Sequence, residues 1–173
     1  MKTRRTLKFI LAGFIIVFFI GLIGFTFIAI NNNKKKDINK KYIPEFAFQK
    51  IDGSLYTNDS IPKNKPIIIL FIDPDCHFCT DEIQELIHEK SYFKLFTILM
   101  VTNAENNRIK ELDDLFSISV ESNFILLQDA KFVFWEHFSP KSIPYSLFYN
   151  SDHEYIKDHV GKFEIEFIKK IYQ

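Results

Sequence analysis

Three stretches of the chain carry unbroken apolar runs of strand length: 65–73 (KPIIILFID), 93–103 (FKLFTILMVTN) and 123–129 (NFILLQD). β-Branched and aromatic residues without alternation mark strands buried on both faces. Between these runs the period changes. After Cys76, Ile83, Leu86 and Ile87 recur at helical spacing, with Asp81 and Glu82 in the first turns, where acids complement the helix dipole. Residues 104–118 (AENNRIKELDDLFSI) predict a second helix with Ile109, Leu112, Leu115 and Phe116 on one face. The aromatic segment 130–138 reads as a short helix or turn. Residues 145–150 and 155–160 read as two strands joined around Ser151–Glu154. Residues 162–172 form an amphipathic helix with Phe163, Phe167, Ile168 and Ile171 inward. Upstream, Asp52-Gly53 sits between two short alternating runs and predicts a β-hairpin with a type I′ turn, which needs positive φ at both central residues. Strands alternating with helices, closed by a ββα unit, predict an α/β domain. Its central mixed sheet has helices on both faces, an antiparallel edge and an N-terminal hairpin extension.

The N-terminal pattern is different. Phe9 to Ile30 is a run of 22 residues without a charge, about 33 Å of helix against a hydrocarbon core of about 30 Å. It is longer than the apolar region of a signal peptide and ends without a small-x-small cleavage site. It reads as a single transmembrane helix (9–30) behind a basic flank (1–8) and ahead of a polar tether (31–41). The remaining residues, 42–173, form one domain. Lys2, Arg4, Arg5 and Lys8 precede the span and Lys34, Lys35, Lys36, Lys40 and Lys41 follow it, a near tie for the positive-inside rule.

Charge sharpens this division. The whole chain balances 22 Lys and Arg against 22 Asp and Glu, yet residues 1–41 hold nine of those bases and one of the acids. The tail is therefore +8 and the domain −8. A basic tail suits a lipid surface, and an acidic domain excludes nucleic acid as partner.

The chain's two cysteines, Cys76 and Cys79, are two residues apart and follow directly on a buried strand that Asp73-Pro74-Asp75 breaks. Open α/β sheets put their active sites at such strand ends. A thiol at the start of a helix faces unpaired N–H groups that favour thiolate, and Cys79 lies one turn on, within disulfide reach. A bridge closing so short a loop stabilises little, so a reversible dithiol explains the pair better than a staple. Cys76 would attack a partner's disulfide and Cys79 would resolve the mixed disulfide. The alternative is a metal-binding or metallochaperone module that uses the two cysteines with a histidine; His77, His153 and His159 are the nearest sources of further ligands. His88 and His137 read as surface or half-buried residues, and Trp135 with its aromatic neighbours as core.

With "PEFAFQKIDGSLYT", "IIILFIDPDCHFC", "SIPYSLFYN" and "HVGKFEIEFIKKI" in this order, the chain resembles the thioredoxin-like superfamily, and within it the membrane-anchored TlpA/ResA-type thiol–disulfide oxidoreductases of bacteria. The resemblance implies a thioredoxin-like fold over residues 42–173. It further implies a cis bond before Pro144, which would lie against the dithiol, and backbone pairing of Ile143 with an extended substrate segment. Ile143, Pro144 and Tyr145, with Phe78, would shape an apolar docking surface. Some positions depart from the family: Leu70 stands where a buried Asp is common, Asp75 where Trp is usual, and His77-Phe78 lie between the cysteines. Asp73, Asp75, Asp81 and Glu82 bring negative charge near Cys76 and disfavour its thiolate, His77 would oppose them when protonated, and the balance leans toward a reductant. The expected partners are a protein disulfide or dithiol substrate, a membrane or periplasmic electron-donor protein, and the lipid bilayer through residues 9–30. No bound cofactor and no metal is expected beyond the redox pair itself. An oxidising exterior is where a dedicated dithiol protein is needed, so the expected location is the bacterial cytoplasmic membrane, with the domain on its periplasmic side.

Overall fold

A computed structural model describes residues 15–26, 28 and 40–172. Residues 15–26 are helical with their side chains exposed. Among the described residues no helix is long and apolar enough to cross a membrane. Of the predicted span 9–30, residues 9–14, 27, 29 and 30 lie outside the described residues, as do residues 31–39 of the predicted tether. Residues 40–173 make up a separate compact unit.

In that unit the chain runs β1 (Ala47–Lys50), β2 (Leu55–Thr57), β3 (Ile67–Phe71), α1 (His77–His88), α2 (Lys90–Phe93) and β4 (Thr97–Thr102). It continues with α3 (Asn106–Phe116), β5 (Phe124–Gln128), α4 (Val133–Phe138), β6 (Tyr145–Tyr149), β7 (Tyr155–Val160) and α5 (Ile165–Ile171). The seven strands form one sheet in the order β2-β1-β5-β4-β3-β6-β7. β3, β4 and β5 are mutually parallel, and β6, β7, β1 and β2 join antiparallel.

Handedness decides which helix covers which face. The crossovers β3–α1–β4 and β4–α3–β5 step the same way along the sheet, and a right-handed turn at each puts both helices on one face. There, with α5, they bury Ile83, Leu86, Ile109, Leu112, Ile165 and Ile168 against Ile68, Leu70, Ile98 and Met100. The chain then passes back over the sheet from β5 to β6. The other face is covered by α4 and the hairpin, where Phe46, Phe48, Phe134 and Phe138 pack on Ile67, Ile69 and Phe71. The continuous apolar run of β3 is thus buried on both sides, all five residues of it.

Several local expectations change. The hairpin forms, but its loop is Ile51–Gly53: Gly53 N–H donates to Lys50 C=O at 2.9 Å and Lys50 N–H to Ser54 C=O at 2.9 Å. Only Gly53 in that loop takes positive φ (82°), so the turn is not type I′. Phe93 ends α2 rather than opening a strand, and β4 starts at Thr97. Leu115 points outward at 69% exposure while Ile109 and Leu112 are buried. Six residues on from Ile109 is about 240° around a helix, away from the buried stripe. Lys40, at the end of the predicted tether, is bonded to the domain: its Nζ meets Asp158 Oδ2 at 2.6 Å, and its C=O accepts from the Tyr149 hydroxyl at 3.0 Å.

Candidate active site

β3 delivers the chain to the site. Ile72 N–H still pairs with Val101 C=O at 3.0 Å, and Pro74 then prevents a further ladder bond. The Asp73 carboxylate accepts Asp75 N–H at 2.8 Å and its C=O accepts Cys76 N–H at 3.0 Å, closing a tight turn. Cys76 is the N-cap of α1, with extended backbone (φ −88°, ψ 113°), and its C=O accepts from Cys79 and Thr80 N–H at 3.0 and 3.1 Å. Both cysteines are free thiols; Cys76 is partly accessible and Cys79 fully buried. Burial pushes the Cys79 thiol well up, and the neighbouring Cys76 sulfur and Glu82, once ionised, push the same way, against a hydrogen bond from the Asp73 backbone. The pair is therefore asymmetric, with an accessible sulfur at the positive end of a helix and a protonated one beneath it.

Glu82 lies three residues after Cys79 on the buried face of α1, and it is only 1% exposed. The sequence counts it among four acids that bring negative charge near Cys76, and its burial changes that count. One carboxyl oxygen accepts Phe163 N–H at 3.2 Å and the other is buried without a partner. Burial lifts its pKa to about 8, with the neighbouring Glu85 charge pushing up and the Phe163 N–H and Lys162 holding it back. Glu82 is thus largely neutral at pH 7 and adds little negative charge to the site. The signal is present in the sequence: an acid in phase with Cys79, Ile83 and Leu86.

Of the remaining residues singled out from the sequence, Asp75, His77 and Phe78 are exposed, Phe78 at 63%. His77 Nε2 faces Asp81 Oδ2 at 3.4 Å. The Ile143–Pro144 bond is cis. Register places this segment at the site's end of the sheet, since Tyr145 opens β6 directly opposite Phe71, the last residue of β3. Cys76 and Ile143 pack against the same core cluster. The expected docking surface is smaller than predicted. Pro144 and Tyr145 are buried, the Tyr145 ring lies 5.9 Å from that of Phe71, and its hydroxyl donates to Asp158 Oδ2 at 2.6 Å. Phe78 and the half-buried Ile143 remain accessible.

Trp135, expected in the core, is 36% exposed and packs edge-on to Phe71 at 6.4 Å. The α4 helix that carries it is held by Asp129, a buried carboxylate accepting the N–H groups of Val133 and Phe134 at 2.8 Å each and of Trp135 at 3.4 Å. Arg108 carries no sequence signal that links it to the cysteines. Its guanidinium reaches from α3 to Asp75, next to Cys76, and to Glu111. Among the described residues no group of three or more His, Cys, Asp or Glu is disposed to hold a metal ion.

A parallel β3–β4–β5 core, an antiparallel β6–β7 pair, a cis-proline opening β6 and a cysteine pair at the start of α1 define the thioredoxin-like fold. Solved structures agree. A secreted disulfide oxidoreductase of Mycobacterium tuberculosis, homologous to E. coli DsbE, matches 73% of this chain and 93% of its own at 20% identity, with a TM-score of 0.61. DsbF of MTB matches 73% and 91% at 17% identity (TM-score 0.63), and StoA of Bacillus subtilis matches 74% and 96% at 19% identity (TM-score 0.56). At these identities the likeness is one of fold. No protein-family model matches the sequence, and no curated protein does.

Proposed function

We propose that the chain is a membrane-anchored protein thiol–disulfide oxidoreductase of the TlpA/ResA type, acting as a disulfide reductase outside the bacterial cytoplasm. One observation carries this reading: a partly accessible thiol at the N-cap of α1 with a fully buried thiol one turn on. The Cys76 thiolate attacks one sulfur of a partner's disulfide. The partner S–S bond breaks as the mixed disulfide forms, and the departing sulfur takes a proton. Cys79 then loses its proton and attacks Cys76, releasing the second partner sulfur as a thiol. Two electrons pass to the substrate, and Cys76–Cys79 is left as a disulfide. The ionised form of Glu82 can accept the Cys79 proton, because the burial that lifts its pKa to about 8 also makes its carboxylate more basic.

The two sulfurs carry both electrons, so no bound cofactor is required. A membrane or periplasmic dithiol protein returns the electrons. Residues 9–30 hold the protein in the bilayer, a reading supported by the exposed apolar helix at residues 15–26. The acids Asp73 and Asp81 favour the reducing direction, because strong oxidants depend on an unusually stable thiolate.

A Cys79→Ser variant should accumulate mixed disulfides through Cys76, and a Cys76→Ser variant should not. Absence of trapping in both would overturn the exchange mechanism. A measured potential near that of the strong oxidants, about −120 mV, would overturn the reducing direction.

A further inference from the structure

Arg108 sits in the first turn of α3, and its backbone N–H donates to Glu105 C=O at 3.0 Å. A cation there opposes the helix dipole, so the helix itself gives no reason for a base at this position. Its side-chain partners do. One guanidinium nitrogen bonds the Asp75 carboxylate in the β3–α1 turn and the other bonds Glu111 on α3.

The turn bearing Cys76 is held from within by Asp73, through its carboxylate and its C=O. Asp75 contributes its N–H to that turn but points its side chain outward, where Arg108 meets it. The other charges near Cys76 are engaged locally. On α1, His77 faces Asp81 at 3.4 Å, and Glu82 is buried beside Cys79. Ahead of α5, Lys162 meets Glu85 at 3.0 Å. On α3, Glu111 shares the guanidinium with Asp75, and Glu105 precedes the helix. Arg108 thus brings positive charge from a separate element to the residue adjoining the nucleophile.

We propose that Arg108 is a positioning residue for the dithiol: it clamps the Cys76 turn to α3 and offsets the Asp75 charge beside the reacting sulfur. The proposal deepens the exchange reading and rests on Cys76 as nucleophile. Without Arg108, the Asp75 carboxylate stands uncompensated one residue from the sulfur. The thiolate then forms at higher pH and the attack slows. Arg108 and Asp75 are both exposed, so solvent screens the effect and a change of about threefold is the scale to expect.

The test uses the full reduced chain in detergent and follows alkylation of Cys76 by iodoacetamide from pH 5 to 9, with peptide mapping to separate Cys76 from Cys79. Arg108→Gln should react about threefold more slowly at pH 7, with its profile moved to higher pH. Arg108→Lys should recover most of the rate by restoring the charge, and Arg108→Gln combined with Asp75→Asn should return toward the wild-type profile. A merely structural role for Arg108 would not be rescued by removing Asp75. An Arg108→Gln protein with unchanged melting and an unchanged profile overturns the proposal, as does a double variant as slow as the single one. Equal alkylation of Cys76 and Cys79 in the wild type would instead overturn the nucleophile assignment on which it rests.

Discussion

Glu82 makes the pH dependence of stability a direct probe of the site. Its carboxyl is shifted from 4.5 to about 8 by burial, and one of its oxygens has no partner. In the unfolded chain it ionises near its ordinary value, whereas in the fold it stays protonated to about pH 8. Between these values the folded state binds more protons than the unfolded one, so stability falls as pH rises. It is fully present below about 4.5 and lost progressively up to about 8. At pH 7 the 2.5 units above 4.5 correspond to about 3 kcal/mol. A Glu82→Gln variant keeps an oxygen for Phe163 N–H, offers an amide to the other position and cannot ionise. It should lie within about 1 kcal/mol of wild type near pH 5 and exceed it by about 3 kcal/mol at pH 7. The assay is urea unfolding of the reduced full chain at pH 5, 6, 7 and 8, followed by Trp135 fluorescence and compared as a difference between the two proteins. Parallel stability profiles over that range would refute the buried, neutral carboxyl. So would a Gln variant less stable than wild type at pH 7.

Two further predictions test the packing around the site. Leu112→Ala should cost about 2–4 kcal/mol and Leu115→Ala less than about 0.5 kcal/mol in the same unfolding assay, since only the first leaves a cavity under α3. Asp129→Ala should cost about 2–4 kcal/mol by stripping the first turn of α4 of its acceptor, with Asp129→Asn recovering part of the loss. Exchange protection of the Val133 and Phe134 amides should drop along with it.

Part of the candidate site is legible in the residues alone. The end of a buried strand, a breaking Pro74 and a cysteine pair opening a helix are all local patterns, and they put Cys76 and Cys79 where the fold has them. Phe78 and His77 follow as the residues between them. Glu82 is legible in its phase on α1, but the usual charge of its side chain misleads, and only the packing of Phe163 against α1 shows what burial does to it. Tyr145 and Trp135 exchange expectations, the first turned into the core and the second out of it. In neither case does the local pattern say which face of the sheet a flanking side chain meets.

By itself the sequence determined the class of fold and the position of the dithiol, because strand and helix periods and turn residues are short-range properties. Tertiary structure alone decided the strand order β2-β1-β5-β4-β3-β6-β7. That order brings β6, which follows Pro144, beside β3, the strand that leads into the cysteine turn. It also decided the two groups that tune the site, Glu82 and Arg108. Their settings depend on partners 81 and 33 residues away in the chain, and a contact of that span is set by how helices stack on a sheet, which no local period encodes.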